Sequence, residues 1–157
     1  MSQKRGLLKS SIFMLVIVLV AIIAFFLPYV SSTEEYREYL ESKEDQQTAQ
    51  SYGMTYRDYE DVSLFEYAKV YFRYGSEIFN NDSMSIFYGA MISSFIVLTL
   101  LVFFAAIKKK PILTFVLGTL LGILSYSTEW DFVDRGIVPS HKSIWGISHY
   151  LFYICAA

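Results

Sequence analysis

The chain alternates between long blocks without charge and shorter charged ones. Asp, Glu, Lys and Arg are missing from residues 10–33, 83–107, 111–128 and 143–157, blocks of 24, 25, 18 and 15 residues. A helix rises 1.5 Å per residue, so about 20 residues cross a hydrocarbon layer of about 30 Å. The first two blocks are comfortable spans, and the third suffices if it stands upright. The fourth reaches only about 22 Å. A helix ending there leaves its last four carbonyls unpaired in lipid. The fourth block is therefore expected to be a half-span held in a bundle or, the preferred reading, a helix that continues past Ala157.

This pattern predicts an all-α integral membrane protein. The expected fold is a four-helix transmembrane bundle, its fourth helix short or truncated, with a small helical extracytoplasmic cap between helices 1 and 2. The expected segments are a cytoplasmic N-terminus at 1–9, spans at 10–31, 83–107, 111–128 and 143–157, a cytoplasmic turn at 108–110, and extracytoplasmic loops at 32–82 and 129–142. The first span resembles a signal peptide in its Lys4, Arg5 and Lys9, but its apolar run is too long and Pro28-Tyr29-Val30-Ser31-Ser32 is no cleavage site. It is expected to remain as an anchor.

Charge settles the expected orientation. Residues 1–9 carry three bases and no acid, and 108–110 is Lys108-Lys109-Lys110. Residues 33–82 hold twelve acids and five bases, and 129–142 hold three acids and two bases. All fifteen acids thus fall on one side. The positive-inside rule puts the N-terminus and the lysine turn in the cytoplasm. Composition agrees: of 157 residues 54% are hydrophobic and 18% charged, with mean hydropathy +0.38, where a soluble domain carries about 25% charged residues. Disorder, nucleic-acid binding and most soluble enzymes are excluded on this ground. Cys155 is the sole cysteine, so no intrachain disulfide braces the outer loop. A loop without cysteines, together with the segregated acids, suits a bacterial cytoplasmic membrane.

Within 32–82 two helix starts are written. Ser32 with Glu35 and Ser63 with Glu66 each fit a capping box. Tyr36, Tyr39, Leu40 and Lys43 follow the first at helical spacing. Phe65, Ala68, Phe72, Gly75 and Phe79 follow the second. Residues 51–55 read as the turn between them. Eight of the thirteen tyrosines lie in this segment. Such an acidic, tyrosine-rich face suits headgroups or a protein partner, with Phe65, Tyr67, Tyr71 and Phe72 the candidate contacts.

In the spans, Gly118 and Gly122 form a GxxxG, and Gly89 with Ser93 repeats the small-xxx-small spacing. Both suit close packing of helices. The densest polar chemistry is Glu129, Asp131, Asp134 and His141, with His149 inside the fourth block. These five are the candidate polar or ion site. A metal is not expected, because His141 and His149 lie about 12 Å apart on a continuous helix and no HExxH, HxxxH or HxH occurs. His149 is expected to bond Ser94, Ser125 or a tyrosine hydroxyl, or else to respond to protons or ligand. No Walker, nucleophile-elbow or dinucleotide motif is present, and no cofactor is expected. The expected function is a non-catalytic interaction or accessory subunit. Its partners are the lipid bilayer and a membrane or extracytoplasmic protein or a second copy. The alternative is a small transporter or channel subunit using His149 and the Glu129–Asp134 acids.

Overall fold

Helix α1 (Ser2–Phe26) stops where Pro28 enters the chain. Leu27, preceding a proline, is pushed out of the helical region, and Pro28 opens a strand, β1 (Pro28–Ser32). The computed structural model describes residues 2–43 and 51–156. The remaining elements are α2 (Glu34–Glu41), β2 (Asp61–Ser63), α3 (Leu64–Phe79), α4 (Asp82–Ile107), α5 (Pro111–Asp134), β3 (Ser143–Trp145) and α6 (Ile147–Ala156). Short 3-10 turns at Ser51–Gly53 and Arg57–Tyr59 lead into β2.

The protein is mostly helical. The expectation of an all-α chain is corrected by a small antiparallel sheet of order β2-β1-β3. Val30 stands opposite Val62 on one side and Trp145 on the other. Pro28 occupies the first position of the central strand, where the register shifts before Val30 and a missing N–H is tolerated. These strands run for only three to five residues, too short to leave a period-two pattern against apolar surroundings. The first apolar helix accordingly ends at Phe26 and not at residue 31.

Two further boundaries differ from the sequence pattern. Residues 129–134 are helical: α5 runs through Glu129, Asp131 and Asp134 and closes in a Schellman cap. There Gly136, at φ +66°, gives its N–H to the Val133 carbonyl at 2.9 Å, and Ile137 gives its own to Phe132 at 2.8 Å. Hydropathy marks where residues prefer water, whereas a helix ends where its backbone is capped. Residues 143–157 also divide, into β3 and a ten-residue α6. In the cap the expected pair of helices is present as α2 and α3. The first begins one residue late, on Thr33, whose hydroxyl accepts from Tyr36 N–H at 3.4 Å, while Ser32 ends β1 and donates to the Tyr59 carbonyl. The capping box at Ser63–Glu66 is complete.

Helix α3 folds back along α4. Where they cross, a Cβ on Gly75 would stand 2.4 Å from Ser85 Oγ, and one on Gly89 2.8 Å from the Phe72 ring. Ser85 Oγ donates to the Tyr71 carbonyl at 2.6 Å. The core gathers Ala21, Ala24 and Phe25 of α1 with Leu64, Phe95, Phe132 and Phe152. Helices α4 and α5 are long and apolar enough to cross a membrane, and only 22% and 17% of their most apolar windows is buried. The apolar part of α1, Leu15–Phe26, and α6 are shorter. Lys108–Lys110 make the hairpin turn between α4 and α5, and Pro111 takes the first helical position of α5.

Candidate functional site: a buried polar cluster beside the sheet

Three local features set α6 against β1 and the end of α1. Gly146 donates its N–H to the Tyr29 carbonyl at 2.9 Å. A Cβ there would lie 2.3 Å from the Pro28 carbonyl oxygen, so only glycine permits the approach. Ser148 Oγ donates to the Ala24 carbonyl at 2.6 Å, the acceptor that the N–H missing from Pro28 would otherwise serve in a continued helix.

This places His149 in a box of aromatic rings. Trp145 stacks on the imidazole at 4.2 Å and 15°. Tyr29, Tyr150 and Tyr153 meet it edge-on at 5.6, 5.1 and 5.2 Å. His149 is 6% exposed, Tyr29 1% and Thr128 0%. Three polar atoms here are buried without a hydrogen-bond partner: His149 Nδ1, Tyr29 Oη and Thr128 Oγ1. Buried orphans of this kind are rare in folded proteins, and each calls for a ligand, water or role. Thr128 lies one turn before Phe132, whose ring packs on Tyr29 at 5.5 Å. Glu129, half-buried on α5, accepts a hydrogen bond from Tyr153 Oη. Its carboxylate acts electrostatically on both the Tyr29 phenol and the His149 imidazole.

Of the five residues marked from sequence, His149 and Glu129 come together here. Asp131 is drawn away by Arg135. The Arg135 guanidinium also lies over the rings of Tyr88, Tyr71, Phe132 and Phe79 at 4.8 to 5.8 Å. Asp134 is exposed. His141 sits apart, beside α2, in an open groove lined by Glu35, Tyr36, Tyr39 and Lys142, its carbonyl accepting from Thr33 Oγ1. The two serines expected to bond His149 do not: Ser94 and Ser125 donate to the carbonyls of Met91 and Leu121. Among the described residues no group of three or more His, Cys, Asp or Glu is placed to hold a metal ion.

The cap candidates divide. Phe65 and Phe72 are exposed, and Phe65 meets Phe26 at 5.2 Å. Tyr71 is corrected from a surface contact to a core residue, 4% exposed, with Tyr67 packed on Phe132 at 4.9 Å. Burial pushes both phenols above the usual tyrosine range, with the Arg135 guanidinium pulling the other way. Gly89 packs inside the chain against Phe72, whereas the Cβ position of Gly118 has nothing within 4 Å. Tyr29 and Thr128 escaped the sequence reading. A tyrosine after a proline and a threonine in an apolar run carry no local sign of convergence, which arises only when β1, α5 and α6 meet.

No protein-family model, no curated protein and no solved structure matches the chain.

Proposed function

We propose that the chain is a multi-pass protein of the cell membrane and acts as a non-catalytic interaction or accessory subunit. In this reading α1, α4, α5 and α6 form the four-helix transmembrane bundle, with α6 short. The N-terminus and Lys108–Lys110 face the cytoplasm, and α2, α3 and the sheet face outward. The observation that carries it is the outward apolar surface of α4 and α5. Phe87, Val97, Phe104, Phe115 and Ile123 are each more than half exposed, a surface that water disfavours and lipid covers. The segregation of acids from the lysine turn supports the orientation. The partner surface would be the exposed ridge of Phe26, Phe65 and Phe72 beside the acidic cap.

Single-cysteine labelling on a Cys155→Ser background tests the topology. Ser76→Cys is expected to react with a membrane-impermeant maleimide on intact cells, and Lys109→Cys only after permeabilisation. Equal labelling of both would sink the spanning reading. For the interaction role, a partner crosslinked in the membrane is expected to be recovered less with Phe65→Ala, and undiminished recovery would remove the ridge from consideration.

A second reading, a small transporter or channel subunit, is favoured by the orphaned polar atoms around His149. It places Glu129 and His149 on the path, with Asp131 and Asp134 at its mouth. Glu129→Gln is then expected to abolish flux into liposomes.

A further inference from the structure

We propose that the cluster of Glu129, Tyr153, His149, Tyr29 and Thr128 binds a small protonated amine, an ammonium ion or primary alkylammonium. Glu129 has no cationic partner among the described residues, and its one hydrogen bond is the one it accepts from Tyr153. Three buried polar atoms lack a hydrogen-bond partner, His149 Nδ1, Tyr29 Oη and, on the residue before Glu129, Thr128 Oγ1. A neutral imidazole nitrogen and two hydroxyl oxygens all accept hydrogen bonds. An ammonium group is donor-only and cationic, so it satisfies these acceptors and the carboxylate together. An anion is repelled by Glu129, and a divalent metal lacks ligands, since no group of three His, Cys, Asp or Glu is assembled among the described residues. Glu129 and Tyr153 are half-buried, while His149, Tyr29 and Thr128 are buried.

This inference deepens the transport reading but rests on it only for passage across the membrane. Binding and passage are measured separately. The full chain in lipid nanodiscs, carrying Trp130→Phe, leaves Trp145 as the sole tryptophan, stacked on His149. Titration with methylammonium chloride is expected to change Trp145 emission saturably. Sodium chloride at equal ionic strength is expected to do nothing, and tetramethylammonium, which has no N–H, to bind at least about tenfold more weakly. Glu129→Gln is expected to weaken methylammonium by about tenfold or more, while Glu77→Gln, exposed on α3 and apart from the cluster, leaves it unchanged. If Glu129→Gln fails to fold by circular dichroism, Tyr153→Phe, which removes only the hydroxyl holding the carboxylate, is expected to weaken binding several-fold. The absence of a saturable response, an equal response to sodium, or undiminished binding in the folded acid variant overturns the site. Binding without flux of methylammonium into liposomes upholds the site and overturns the transport reading.

Discussion

Arg135 shows how one side chain can tie three helices. Its guanidinium pairs with Asp131 and lies over rings drawn from α3, α4 and α5, with both partners of the ion pair largely buried. A planar guanidinium stacks on aromatic faces while donating in its own plane, and an ammonium does neither well. Arg135→Lys is therefore expected to cost about 2 kcal/mol, although charge is kept, as read from thermal unfolding in micelles. An unchanged midpoint would show that charge alone suffices. Gly146 is the second such residue. Gly146→Ala forces a methyl against the Pro28 carbonyl and is expected to destabilise by about 2–3 kcal/mol. The Trp145 emission should shift as its ring leaves His149. The four-residue spacing of Asp131 and Arg135 is written in the sequence, but the stacking on Tyr71 and Tyr88 and the close approach at Gly146 are not, because they depend on partners more than forty residues away.

Elements were legible wherever their signals are local. The box that starts α3 is written in four consecutive residues: Glu66 accepts from Ser63 N–H at 2.8 Å, and Ser63 Oγ accepts from Glu66 N–H at 3.2 Å. Ser63→Ala is expected to cost about 1 kcal/mol, measured as a lower denaturation midpoint with the slope unchanged. Helices α4 and α5 were legible from hydropathy, as was the hairpin at Lys108–Lys110. Strands β1, β2 and β3 were not, since Val30, Val62 and Trp145 become a ladder only when distant segments pair. The end of α5 was misplaced for the opposite reason. The acids of residues 129–134 look like a loop by polarity, yet the stop signal is Gly136, five residues after Asp131. The candidate site inherits both limits. His149 and Glu129 were identifiable as ionisable groups beside apolar runs, whereas Tyr29 and Thr128 depend on the unpredicted strand and the extended helix.

At the scale of the molecule, the two long helices decide which solvent the protein needs. Ile123 lies midway along α5 and is 56% exposed. Arginine at that position is harmless on a water-facing helix. At the centre of a bilayer it costs about 3 kcal/mol. Ile123→Arg is expected to deplete the chain from the membrane fraction, and a variant that remains fully membrane-integrated would count against the proposed bilayer. The sheet has a consequence of another kind, one of timing. Its central strand is synthesised early, β2 follows some thirty residues later, and β3 arrives only after both long helices. During translation, β1 therefore carries one unsatisfied edge for most of the chain's emergence, and its closure requires a contact of high sequence separation. The nascent chain must keep that edge from rival strands until Ser143–Trp145 leave the ribosome. Slowing synthesis before that point should lengthen the interval of vulnerability and leave the helical hairpin intact.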